Sequence, residues 1–230
     1  LSFWGHWDFQ KAQENYIKAM QLSPKYTEAE EGLVELYTAV GDFDNALKHV
    51  ENILQINPLS ANHFFTKSNI FYQKGDFKQA EKFADQALIL DPNFTHAIAL
   101  KQLCLIHNGN EDKLNHFLNT TQLIERAEAC NLLFDLFHKS KEIQTSTIDE
   151  ELNKEVPIPL FPWTLFVKIY ANRINDAEAE LKDAVKRKLG QYVNFKSHPL
   201  LLPLRKSAVF QKLANENLVD NGSSKELTLG

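Results

Sequence analysis

The sequence predicts an all-α chain: an α-α superhelix of antiparallel helix pairs, with degenerate pairs and a capping segment toward the C-terminus. Three observations carry this. A pattern of Gly-Asp-Phe, then Ala, then Pro returns with a period of 34 residues. Between its returns, apolar residues fall three and four apart, the spacing of one helix face. Glycine and proline number only eight each in 230 residues, so long helices meet few breakers.

The pattern is clearest between "GDFDNALKHVENILQINP" (Gly41 to Pro58) and "GDFKQAEKFADQALILDP" (Gly75 to Pro92), where five residue types recur in register. The same register runs backwards to Asp8, Phe9, Ala12 and Pro24, and forwards to Gly109. Beyond it the pattern decays, with Leu114 in place of the small residue and Arg126 in place of the proline. Each retained letter has a physical role. Gly41, Gly75 and Gly109 suit the left-handed corner that ends a first helix, where a side chain costs about 1–2 kcal/mol. Ala12, Ala46 and Ala80 let two helices approach closely, and a bulkier residue there overpacks by about 1–3 kcal/mol. Pro24, Pro58 and Pro92 stop the second helix. A single pair leaves apolar faces open, so neighbouring pairs must stack.

The period and the positions Leu33, Tyr37, Gly41, Ala46 and Pro58, then Phe71, Gly75, Ala80, Ala87 and Pro92, resemble the tetratricopeptide repeat. The resemblance covers roughly residues 7 to 122. Where the family prefers a large residue early in the first helix, the chain carries Glu30, a departure, and then Phe64. Residues 1–123 are thus read as repeats: an incomplete first unit, then 27–60, 61–94 and 95–123. In this reading "WDFQKAQENYIKAMQLSP" is the second helix of a pair whose first helix precedes Leu1, which implies an excised module.

Residues 124–213 are read as degenerate repeats and a cap. "EDKLNHFLNTTQ", just before them, and "IERAEACNLLFDLFHKS" keep helical spacing. The polar, proline-ended "KEIQTSTIDEELNKEVPIP" is expected to be a linker or long loop. "FPWTLFVKIYAN" and "INDAEAELKDAVKRK" then form another pair, with Ala177 and Ala184 seven apart like Ala80 and Ala87, and with Asn172 in the glycine place. In "HPLLLPLRKSAVFQKL" the residues Leu200, Leu201, Leu202 and Leu204 are expected to cover the open end of the stack. This stretch, through His198, Pro199, Pro203, Leu204, Arg205, Phe210 and Leu213, is also similar to the ending of repeat domains in bacterial signalling proteins. Those domains stand beside an AraC-type helix-turn-helix domain or a nucleotide cyclase. Residues 214–230 are a polar tail or linker.

Charge and composition narrow the function. A net charge of -5 argues against a nucleic-acid surface, and the short basic run from Lys182 to Lys188 suits a solvated helix end. Cys104 and Cys130 lie among apolar neighbours, as buried thiols in a reducing, cytoplasmic setting. No apolar run reaches the ~18 residues that span a bilayer. The eight histidines show no metal-ligand spacing, and no nucleophile or phosphate-loop motif occurs. No metal, cofactor or catalytic residue is therefore expected.

The resemblance implies instead a concave groove lined by the first helix of each pair. Carried over, its residues are Glu28, Glu31 and Glu35, then Asn62, Phe65, Asn69 and Tyr72, then His96 and Leu103, with Thr38, Ala99 and Ile106 beside them. Such a groove is acidic at one end, amide and aromatic in the middle and apolar at the other. It suits a protein or peptide with a basic end and an apolar end, or another domain of the parent protein, and a homodimer is compatible with it. The clamp that some relatives use for chaperone C-terminal carboxylates needs Lys and Arg, which these positions lack. The expected function is non-catalytic: a protein-interaction and regulatory module of a bacterial transcriptional regulator or signalling protein. The alternatives are a general scaffold and the regulatory arm of a cyclase.

Overall fold

The computed structural model describes residues 8–23, 27–121, 127–154 and 162–216. Among the described residues there are helices and no strands. In chain order they are α1 (Phe9–Leu22), α2 (Thr27–Val40), α3 (Phe43–Ile56), α4 (Ala61–Lys74), α5 (Phe77–Leu90), α6 (Thr95–Asn108) and α7 (Glu111–Thr120). Then come α8 (Ala127–His138), α9 (Thr145–Leu152), α10 (Trp163–Tyr170), α11 (Ile174–Lys186) and α12 (Ala208–Glu216). Two 3₁₀ turns, Gly190–Tyr192 and Pro199–Leu204, lie between α11 and α12. Consecutive helices pack pairwise, and the first helix of one pair also meets that of the next: α4 touches α6, α6 touches α8, and α8 touches α10. The architecture is an all-α superhelix.

One corner device is repeated along the stack. Gly41, Gly75 and Gly109 have φ of 83°, 88° and 67°. At the second corner Gly75 N donates to Tyr72 O (3.0 Å) and Asp76 N to Phe71 O (2.9 Å), the paired bonds that close a helix on a left-handed residue. The device outlasts the sequence pattern. Lys139 (φ 52°) ends α8 and Asn172 (φ 60°) ends α10, with the matching bond pair from Asn172 N and Arg173 N. Asn172 thus stands where the earlier units have glycine, as its amide side chain allows. After each of the first corners an acceptor caps the second helix. Asp42 takes the backbone N–H of Asn45, Asp76 that of Gln79 and Asn110 that of Lys113, and Asp8 does the same for α1.

An ideal Cβ on Gly75 meets nothing within 4 Å, so any cost of a side chain there is backbone strain. Gly75→Val is expected to lower unfolding free energy by about 1–2 kcal/mol or more, and Gly75→Asn by clearly less. Urea unfolding of the two variants side by side measures the difference.

Ala46 and Ala80 are fully buried and Ala12 nearly so. The fit at Ala80 is close enough for Ser68 Oγ to donate to its carbonyl at 2.6 Å. Pro58 and Pro92 lie just past the ends of α3 and α5, while Pro24 lies outside the described residues. The expected loop after Lys141 differs from what is found. Residues Thr145–Leu152 form α9, because Ile143, Ile148 and Leu152 supply a thin apolar stripe that packs on Leu132 and Val167. The proline-bearing remainder of that stretch, 155–161, and most of the polar tail, 217–230, lie outside the described residues; Ala214–Glu216 complete α12.

The C-terminal segment folds back onto the repeats. Leu200, Leu201 and Leu204 are buried in the main core with Leu103, Ile106 and Phe166, whereas Leu202 is 61% exposed. Ser197 Oγ donates to Gln73 Oε1 at 3.0 Å, joining residues 124 apart in sequence. The cap therefore closes on α4 and α6 as well as on the last pair.

Candidate concave binding surface

The surface is built from α2, α4 and α6, which present equivalent positions 34 residues apart. At the N-terminal edge Glu28, Asn62 and His96 are all exposed. One turn on, Glu31 and Phe65 are half-buried and Ala99 is buried; after another turn Glu35 is exposed, Asn69 half-buried and Leu103 buried. At the corner edge Thr38, Tyr72 and Ile106 are all buried. Exposure falls in two directions, toward the corners and toward the third unit. What remains open is one quadrant: Glu28, Glu31, Glu35, Asn62, Phe65, Asn69 and His96.

Two expected groove residues are thereby removed from any partner's reach. Tyr72 is fully buried, its ring against Phe77 and against His198 of the cap at 5.5 and 5.4 Å, and its hydroxyl 3.1 Å from His107 Nε2. Leu103 is likewise fully buried in the core that the cap completes. The apolar end of the groove is thus filled by the chain itself.

The acidic edge is tied down by histidines. Glu31 Oε1 lies 2.7 Å from Nε2 of the buried His63. Glu30, the departure from the repeat pattern, turns toward α3, where it accepts from Asn52 Nδ2 (3.0 Å) and meets His49 Nδ1 (2.9 Å). The His49 ring in turn stacks on Tyr37 at 5.6 Å with an 8° interplanar angle. A polar cluster thus occupies the place where a large apolar side chain would sit, and its hydrogen bonds offset the burial of the carboxylate.

Where α4 faces the start of α6, three rings meet. Phe65 stands 5.4 Å from Phe94 and 5.6 Å from His96, and Phe94 and His96 are 5.6 Å apart. Partial desolvation by its neighbours lowers the His96 pKa from its ordinary value, which favours the neutral ring. Sequence reasoning missed Phe94, which lies just outside the helix that carries His96; its place two residues after Pro92 was the available signal.

At the opposite edge a half-buried row of rings joins successive first helices. His107 stacks on Phe77 at 3.9 Å and meets Phe137 at 4.9 Å, and Phe137 meets Tyr170 at 5.0 Å. Burial, then the neighbouring His138, holds His107 down to about 4; burial, then His107 and Arg205, holds His198 down to about 3. Both are neutral where the cap meets the repeats.

A separate polar cavity of about 210 Å³ lies between α7, α8 and the corner after α8, lined by Glu111, Asn115, Asn131, Phe134, Asp135 and Lys141. Lys141 Nζ is 2.5 Å from Asp135, so its main carboxylate already has a counterion. Among the described residues no group of three or more His, Cys, Asp or Glu is placed to hold a metal ion. Cys104 and Cys130 are buried free thiols, and burial pushes Cys104 far above its ordinary range. Among the described residues no helix is long and apolar enough to cross a membrane.

A model of the tetratricopeptide repeat matches residues 38–104, from the end of α2 through most of α6. A search of curated proteins finds no match.

Proposed function

We propose that this chain, which carries tetratricopeptide repeats at 38–104 in an all-α superhelix, is a non-catalytic module that binds a protein partner in the open quadrant of its concave face. Repeats of this family generally mediate protein–protein interaction. The observation that carries the reading is the graded exposure: Glu28, Glu35, Asn62 and His96 are open while the equivalent corner positions are sealed. A partner is then selected for positive charge and amide pairing, and the apolar end contributes to the core instead. The role proposed for the module is regulatory, in a bacterial transcriptional regulator or signalling protein of the cytoplasm, with occupancy of the groove passed to an effector. The similarity of the segment from His198 to Leu213 to the ending of such repeat domains supports this. Residues 27–123 would then be the binding part, and 124–213 the part that completes and seals it.

The test is site-directed photocrosslinking in the native host, with the reactive residue at Asn62 on the concave face or at Lys78, exposed on α5. A protein adduct from position 62 that is absent from position 78 is the expected result. Glu28→Lys, at an exposed residue, is expected to reduce that adduct at least severalfold. Equal labelling from both positions, or indifference to Glu28→Lys, would remove the groove assignment.

A further inference from the structure

We infer that the open quadrant recognises a lysine or arginine side chain of an extended partner segment, held against the Phe65, Phe94 and His96 rings on the face that also presents the exposed Glu28 carboxylate. The inference rests on the groove reading above and names the chemistry of its ligand.

The rings pack edge to face, with interplanar angles of 71°, 60° and 50°. Phe65 and Phe94 remain half-buried and His96 exposed, so part of the cluster stays open to solvent. A cation meeting the face of an aromatic ring is attracted by the ring quadrupole, the more strongly as water is excluded.

The chain itself uses this arrangement twice, one repeat apart. Lys67 sits 4.5 Å from the centre of the Phe83 ring and 3.1 Å from Glu51; Lys101 sits 4.4 Å from that of Phe117 and 2.5 Å from Asp85. In both, an ammonium lies between a ring and a carboxylate. The concave face carries the rings and the exposed Glu28 carboxylate, Glu31 being already held by His63, and among the described residues no lysine or arginine lies over Phe65 or Phe94. No groove position of α2, α4 or α6 carries Lys or Arg either. The missing member of the trio is a cation, and the partner is the source that completes it.

The experiment is selection of a displayed random dodecapeptide library on the folded chain at pH 7.5. Enriched peptides are then titrated onto the wild type and onto Glu28→Lys, Phe94→Leu, Phe65→Leu and His96→Ala. Each variant's thermal unfolding is recorded, and Phe94→Leu and His96→Ala serve if Phe65→Leu fails to fold. Enriched peptides are expected to share a basic residue. Replacing an arginine there by citrulline, or a lysine by acetyl-lysine, should weaken binding roughly five- to tenfold, and so should Phe94→Leu. Peptides that are lost with Glu28→Lys yet indifferent to side-chain neutralisation and to the ring variants would overturn the inference and leave the groove reading standing. Weakening by neutralisation and Glu28→Lys without any effect of the ring variants would also overturn it. No enrichment, or binding indifferent to every groove variant, would overturn both.

Discussion

Tyr72→Ala is expected to be the most damaging single substitution in the repeats, costing about 3–5 kcal/mol of unfolding free energy, as truncation of a large buried ring does. Tyr72 is fully buried where α4, the start of α5, His107 and the cap converge, so its loss leaves a cavity that four separate segments line. Its phenol, which burial holds well above its ordinary pKa, is within hydrogen-bond distance of His107 Nε2. Tyr72→Phe keeps the ring and leaves that nitrogen without its partner, a loss of about 1–3 kcal/mol. Chemical denaturation of the two variants separates packing from hydrogen bonding. Leu202→Ala, at a residue that is 61% exposed, is the expected near-silent control.

Acid is expected to loosen the same junction. His107 is surrounded by Tyr72, Phe77, Phe137 and His138, and His198 by Tyr72, Phe166 and Arg205, so neither meets a carboxylate among these neighbours. The unfolded chain takes up protons on both rings as pH falls through their ordinary value of 6.5, while the folded chain holds His107 neutral down to about 4 and His198 to about 3. The stabilisation is therefore complete above pH 6.5, is lost progressively as pH falls from there toward 4, and levels off for His107 below that value. The His107 shift alone corresponds to a loss on the order of 3 kcal/mol. Urea unfolding at several values between pH 7.5 and pH 4 should show this slope. His107→Gln, which retains a polar group near Tyr72 and cannot titrate, should flatten it.

Much of the fold was legible because the pattern repeats. A residue that must adopt positive φ, a residue that must be small and a residue that must break a helix leave the same letters every 34 positions. The corner device remained readable even in the degenerate half at Asn172, where Asn substitutes for Gly for a known conformational reason. Other features were not legible. Helix α9 lies in a polar stretch because only Ile143, Ile148 and Leu152 commit it to the core, too few for a clear period. The open extent of the groove depends on contacts between residues more than a hundred positions apart, such as Ser197 with Gln73 and His198 with Tyr72. Local periodicity places Tyr72 and Leu103 on the concave side of their helices and carries no information about what folds back to cover them. Glu30 was visible as a departure, and its partners His49 and Asn52 on the next helix were not.

The account turns on a cap that fills the corner side of the groove and leaves the acidic and aromatic quadrant free. Its most direct test is an isotope-filtered NOE experiment between the Tyr72 and His198 side chains, whose ring centres are 5.4 Å apart. A cross-peak at neutral pH that weakens on acidification, with Asn62 and His96 remaining accessible to a soluble paramagnetic probe, is the predicted result. Absence of the cross-peak in the folded chain, with Tyr72 broadened by the probe as strongly as His96, would contradict it.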